Sequence, residues 1–157
     1  MTNRIGQMTE YNLFRNLIVG KKFIPSWTLY KRVLLTGQVA LFAIIYAIVN
    51  IFLGITDNVT EYIPLYLTIA VSCMLVILVL RAGYYTNGRI LLIMTSMILV
   101  SIFTLVDRTD TSVYFFYFVI IIGSLTIFGY DQIMLGVGFA FIVIISFVVI
   151  FLSLIHI

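Results

Sequence analysis

The sequence predicts an all-α, polytopic membrane protein: a bundle of five transmembrane helices with a cytoplasmic N-terminus. Composition is the first observation, since the chain is 63% hydrophobic and only 10% charged, whereas a soluble domain is ~45–50% apolar and ~25% charged. The second is the pattern, in which long apolar stretches free of charge alternate with short polar connections. The third is that these stretches lack the alternation at every second residue that a membrane β-barrel requires.

Five stretches of the sequence have the character of membrane spans, because a helix needs about 20 mostly apolar residues to cross roughly 30 Å of hydrocarbon. They cover residues 33–53, 63–80, 90–106, 113–128 and 133–155. The fourth is short, so we expect flanking aromatic residues to complete it at the membrane surface. The predicted connections are 54–58, 81–89, 107–110 and 129–132. Connections of this length favour antiparallel neighbours and an up-and-down bundle.

Residues 1–32 form a different kind of segment, predicted to be cytoplasmic and amphipathic. One apolar stripe recurs there at spacings of three and four residues: Met8, Tyr11, Phe14, Leu17 and Ile18. Gly20, followed by two lysines, suits the end of a helix. The stripe fits a helix lying on the inner leaflet, a docking helix for a partner, or a loosely ordered lead-in to the first span. Trp27 and Tyr30 then suit the headgroup region.

The distribution of basic residues predicts the orientation. With the N-terminus in the cytoplasm, all nine Lys and Arg residues except Arg108 lie inside, as the positive-inside rule requires. The pI of about 9.1 therefore indicates attraction to anionic lipid at the inner face, and no nucleic-acid partner is predicted. The first apolar stretch begins too late and runs too long for a cleaved signal peptide, and it reads as a signal anchor.

The sequence contains few of the residue types that catalytic and metal sites require. Cys73 is the single cysteine and His156 the single histidine, whereas a zinc site needs three or four side-chain ligands. We therefore predict no catalytic residue, no metal site and no cofactor. The five stretches also contain no ionisable Asp, Glu, Lys or Arg, although such residues mark most proton and ion pathways through membranes.

Acidic and aromatic residues collect at the predicted outer face. They are Asp57, Glu61, Tyr62, Tyr66, Asp107, Asp110, Tyr114 and Tyr117. An acidic mouth rimmed by aromatic rings would attract a cationic or amphipathic ligand through charge and cation–π interactions. The alternative is an ordinary aromatic belt beside ordinary outer loops.

Three residues within the spans are candidates for helix packing or for a dimer seam. Gln38 places a carboxamide in the first span, where it requires a hydrogen-bonding partner. Gly136 and Ala140 are four residues apart in the last span, a spacing that permits close approach of two helix backbones. The contact can lie within one bundle or between two copies of the chain.

The layout resembles the multi-pass membrane input regions of bacterial sensor histidine kinases, and similar six-helix anchors of nucleotide cyclases. The resemblance covers the chain from Ser26 onward: short antiparallel spans, a basic lead with Trp27 and Tyr30, the aromatic run 114–118 and the brief turn 129–132. It is one of layout and includes no diagnostic motif, so no functional residue is carried over.

This resemblance implies a sensor domain in the bacterial inner membrane that relays a ligand or the state of the membrane by helix rearrangement. It also implies a homodimer, a sixth helix beyond Ile157 and a covalently continuous C-terminal signalling domain. Five spans with an inner N-terminus would otherwise leave the C-terminus outside. The alternative is a complete small membrane protein that serves as a transporter-like subunit or as a scaffold of a membrane complex.

Overall fold

A computed structural model describes residues 16–20, 24, 26–57, 60–106, 113–129 and 132–155, and within these ranges the regular structure is helical with no strand. Four of its helices are long and apolar enough to cross a membrane, and a shorter apolar helix accompanies them. These helices support the prediction of a helical membrane protein. The chain divides into two compact units, Met1–Arg89 and Ile90–Ile157.

Among the described residues, five helices of 16 residues or more follow one another, after a short helical turn at residues 16–18. They are α1 (Trp27–Thr56), α2 (Ile63–Arg81), α3 (Tyr85–Val106), α4 (Val113–Phe128) and α5 (Ile133–Ile155). The last two have the bounds of the predicted stretches, whereas α1 begins six residues before the first of them, within the segment 1–32. A charge-free stretch indicates only the part of a helix that lies in the hydrocarbon layer. Lys31 and Arg32 lie outside that part, but they are good helix formers, so α1 begins before the stretch does.

The connection between α2 and α3 is shorter than the predicted 81–89. Residues 85–89 are helical, so the prediction of a polar loop there was wrong, and only 82–84 separate the two helices. Gly83 makes the turn with a φ of 93°. A Cβ added to Gly88 would lie 2.5 Å from Cδ2 of Leu80. This glycine, which belongs to the predicted connection 81–89, lets α3 begin close beside α2.

The first unit is organised around α1 and α2, which pack against each other. Both helices bury small and apolar side chains, since Val33 and Ala40 of α1 and Val76 and Leu80 of α2 are all fully buried. Tyr46 of α1 meets Tyr66 of α2 edge to face, with ring centroids 6.2 Å apart. The start of α1 and the end of α2 therefore lie at the same end of an antiparallel hairpin.

The second unit contains α4 and α5 packed together, with most of α3. Near the turn between α4 and α5, the rings of Phe128 and Phe139 stack at 5.5 Å. Gly129 ends α4 with a φ of 52°, and its N–H donates to the carbonyl of Leu125 at 2.9 Å. Such a left-handed glycine after the last helical residue is a common helix stop.

Candidate functional site

The described part of the N-terminal segment is seated against α1. Ile18 is fully buried and Val19 is 1% exposed. A Cβ added to Gly37 would lie within 2.3 to 2.8 Å of three side-chain atoms of Ile18, so only glycine leaves room for this contact. The prediction of an apolar stripe included Ile18, but nothing in the sequence indicated Gly37 as its partner.

The end of this segment lies beside α2. Gly20 has a φ of 66°, in agreement with its predicted place at a helix end. A Cβ at Gly20 would lie 3.7 Å from Cγ of Arg81. Residues 16–20 therefore contact both helices of the hairpin at its basic end. Met8, Tyr11 and Phe14 of the same stripe, and the two lysines after Gly20, lie outside the described residues.

The start of α1 carries an aromatic and cationic cluster. Trp27 is exposed and stacks on Tyr30 with ring centroids 5.5 Å apart. The Nζ atom of Lys31 lies 5.2 Å from the centre of the Trp27 ring, within the range of a cation–π contact. An amphipathic ring next to an ammonium group suits the headgroup layer of a membrane.

Arg89 is the largest fully buried side chain among the described residues, at 1% exposure. Its Nε donates to the carbonyl of Tyr85, and its Nη2 donates to Oγ1 of Thr86, each at 3.3 Å. Sequence reasoning counted Arg89 only as one more inner basic residue. Its hydrogen-bonding neighbours three and four residues earlier were visible in the sequence, but its burial was not.

Only part of the predicted outer mouth, the acidic and aromatic residues at the predicted outer face, lies within the described residues. In the first unit, Asp57 follows the end of α1 and Glu61 lies in the turn before α2, and both are exposed. Tyr62 and Tyr66 are half-buried on successive turns, with the N–H of Tyr66 donating to the carbonyl of Tyr62 at 3.1 Å. These four residues lie at one end of the hairpin, and the ring of Tyr46 adds to them, which sequence reasoning missed.

Tyr117 belongs to the second unit and is only 1% exposed. Its hydroxyl donates to Oγ of Ser101 at 3.2 Å, and its ring meets Phe147 edge to face at 5.4 Å. These contacts give it a packing role within that unit. Asp107, Asp110 and the side chain of Tyr114 lie outside the described part of the chain.

Gly136 and Ala140 belong to α5, and Gly136 lies at the contact of α5 with α4. A Cβ added to Gly136 would lie 3.2 Å from both the carbonyl oxygen of Ser124 and Cβ of Phe128. Ser124 Oγ also lies 3.4 Å from the carbonyl oxygen of Gly136, to which it donates. Ala140, one helical turn later, is 8% exposed. This is a close packing contact within one unit.

Gln38 stands apart from that contact, because its side chain is exposed on α1. The other polar span residues are mostly satisfied within their own helices, where each hydroxyl donates to a carbonyl three or four residues earlier. Examples with oxygen–oxygen distances of 2.7 to 2.9 Å are Thr36, Thr68, Thr95, Ser96, Ser101, Thr104, Ser124, Thr126 and Ser146.

Cysteine and acidic residues form no metal site in the described part, which holds no cluster of three or more His, Cys, Asp or Glu side chains suited to a metal ion. Cys73 is buried and free. No family model, no curated protein and no solved structure matches this chain.

Proposed function

We propose that this chain is the membrane-embedded sensor domain of a bacterial signal-transduction receptor of the histidine-kinase type. It lies in the inner membrane as five spans with its N-terminus in the cytoplasm. A ligand, or the state of the bilayer, shifts the packing of the helices, and the change passes to a signalling domain that follows in the same polypeptide.

The observation that carries this proposal is the way in which polar groups in the spans are satisfied. Because the hydroxyls donate to carbonyls of their own helices, neighbouring helices meet mainly through apolar and small side chains. Helices in such contact can shift while these hydroxyls keep their partners, whereas a polar group left unsatisfied in hydrocarbon would cost roughly several kcal/mol. Small shifts of packed helices between alternative arrangements are one established form of conformational switch.

The acidic and aromatic end of the α1–α2 hairpin supports a ligand that is cationic or amphipathic. Asp57 and Glu61 are exposed carboxylates beside the half-buried rings of Tyr62 and Tyr66. A ligand shifts the helices only by its difference in affinity for the two packings. Binding across α1 and α2 supplies such a difference, because the contacts depend on the position of both helices.

The charge distribution supports the orientation. Lys31, Arg32 and Arg81 lie at one end of the α1–α2 hairpin, and Asp57 and Glu61 lie at the other. The positive-inside rule places the basic end in the cytoplasm. The acidic end then faces the outside, where an external ligand arrives.

The size of the native gene product tests this proposal. Membranes of the source cell are probed with an antibody against residues 1–25, and a strain without the gene serves as the control. We expect a band tens of kilodaltons above 17.9 kDa, the mass of the present chain. A band near 17.9 kDa would contradict the sensor proposal and support a small subunit or scaffold of a membrane complex.

A further inference from the structure

The described N-terminal segment, residues 16–20, contacts α1 within the apolar part of that helix. Three side-chain atoms of Ile18 occupy the space that a Cβ at Gly37 would take. Gly37 lies five residues beyond Arg32, the last charged residue before the apolar stretch, which is about 7.5 Å along the helix at 1.5 Å per residue. Ile18 therefore lies at the level of the apolar stretch and not beside the charged start of α1.

The other end of the segment lies at the level of a charged residue. A Cβ added to Gly20 would lie 3.7 Å from Cγ of Arg81, which is the last residue of α2 and is exposed. Between Gly20 and Ile18 the chain passes from this charged end of the hairpin to the apolar level. Helices that lie in a membrane surface bury their apolar face ~5–10 Å into the boundary between headgroups and acyl chains, and the position of Ile18 falls within that range.

The side chains of the segment differ in what covers them. Ile18 is fully buried and Val19 is 1% exposed, whereas Leu17 is 43% exposed. We infer that residues 16–20 are embedded in the lipid leaflet at the basic end of the α1–α2 hairpin, with Ile18 and Val19 against protein and the exposed part of Leu17 against acyl chains. The depth identifies lipid as the partner, because a leucine next to Ile18 at the level of Gly37 lies where acyl chains surround the helices.

This placement decides between the three arrangements that the sequence allows, a helix on the leaflet, a docking helix for a partner and a loosely ordered lead-in. It needs α1 and α2 to cross the membrane, but it does not depend on the proposed sensor role. A native chain of 17.9 kDa would overturn that role and leave the placement of residues 16–20 to its own experiment.

The depth of Leu17 is measured with a spin label on Leu17→Cys in the full chain with Cys73→Ser, in vesicles of phosphatidylcholine and phosphatidylglycerol. Collisions are compared for oxygen, which collects in lipid, and for a water-soluble nickel chelate. The matched lipid control is Leu78→Cys, since Leu78 is 62% exposed and lies three residues before Arg81. The water control is Thr60→Cys, because Thr60 is exposed outside the helices.

We expect oxygen to be favoured at position 17 as at position 78, and the nickel chelate to be favoured at position 60. The nickel chelate favoured at 17 and oxygen at 78 would overturn the placement of the segment alone. The nickel chelate favoured at both positions would overturn it together with the spans.

A second measurement uses a smaller probe, because a spin label could displace the segment. Trp27 is the single tryptophan, so Leu17→Trp with Trp27→Phe leaves one fluorophore. We expect lipids with brominated acyl chains to quench this tryptophan more strongly than aqueous iodide does, and iodide to quench Trp27 of the unmodified chain more than the tryptophan at position 17. Stronger quenching by iodide at position 17 than at Trp27 would overturn the proposal. Protection from both quenchers would mean that protein covers Leu17, and would overturn it as well.

Discussion

The contact between Ile18 and Gly37 predicts that a single methyl group will unseat the N-terminal segment. In Gly37→Ala the new Cβ would lie 2.3, 2.7 and 2.8 Å from Cγ2, Cδ1 and Cγ1 of Ile18. Real Cβ atoms do not approach carbon so closely, so Ile18 must move. Its side chain is branched at Cβ and therefore stiff, and it is fully buried, so it has no free space to rotate into.

The magnitude follows from two opposing effects. Replacing glycine by alanine inside a helix stabilises it by about 1 kcal/mol. Forcing a methyl group into a closely packed contact costs about 1–3 kcal/mol. Gly138 in α5 supplies the reference, because a Cβ added there meets nothing within 4 Å. Gly37→Ala should therefore be about 1–3 kcal/mol less stable than Gly138→Ala. The gain from replacing glycine by alanine in a helix is common to both variants and cancels in this comparison.

The assay reports on both the unfolding and the local contact. Unfolding by SDS in mixed micelles gives the free energy of each variant. Labelling of Val19→Cys in a Cys73→Ser background reports the segment itself, because Val19 is 1% exposed. We expect slow labelling when Gly37 is present, and labelling about 5- to 160-fold faster in Gly37→Ala, as a cost of about 1–3 kcal/mol implies.

A double-mutant cycle shows whether the two residues interact. Ile18→Ala removes the atoms that clash, so Gly37→Ala should cost about 1–3 kcal/mol less in that background. If the two substitutions are additive, or if labelling of Val19→Cys is already fast with Gly37 in place, the reasoning about this contact is refuted.

Three further substitutions test the packing within each unit. Gly136→Ala should be about 1–2 kcal/mol less stable than Gly138→Ala, because its Cβ would lie 3.2 Å from a backbone oxygen; equal SDS unfolding would contradict this. Tyr117→Phe removes the hydroxyl that donates to Ser101 and should lower the free energy of unfolding in SDS by about 0.6–2 kcal/mol. An unchanged free energy of unfolding would show that this bond does not stabilise the protein. Arg89→Lys retains the charge but cannot make both guanidinium bonds, so it should lose about 1–3 kcal/mol; wild-type stability would show that charge alone suffices.

The sequence predicted helix bounds well where polar and turn-forming residues lie next to the apolar stretch. The bounds of α4 and α5 agree with the predicted stretches, because polar connections with turn residues lie on both sides of α4 and directly before α5. The early starts of α1 and α3 were missed for a physical reason. Hydropathy locates the part of a helix that lies in hydrocarbon, whereas Lys31 and Arg89 extend helices beyond that part.

The contacts that position the candidate site could be predicted only in part. Periodicity placed Ile18 on an apolar stripe, and the spacing of Gly136 and Ala140 indicated close helix packing. No local pattern of the sequence predicts that Gly37 contacts Ile18 or that Arg89 is buried, because both depend on tertiary packing. Tyr117 shows the same limit, since a tyrosine near the end of a span suits either a membrane surface or a core.

Insertion of α1 and α2 across the membrane, with their basic ends in the cytoplasm, underlies the proposed sensor. It is tested by labelling Thr60→Cys and Tyr84→Cys in a Cys73→Ser background, since both positions are exposed and adjoin opposite ends of α2. With a maleimide that cannot cross membranes, we expect Thr60→Cys to be labelled in intact cells and Tyr84→Cys only after permeabilisation. Labelling of both positions from the same side, or the reverse pattern, would contradict this topology.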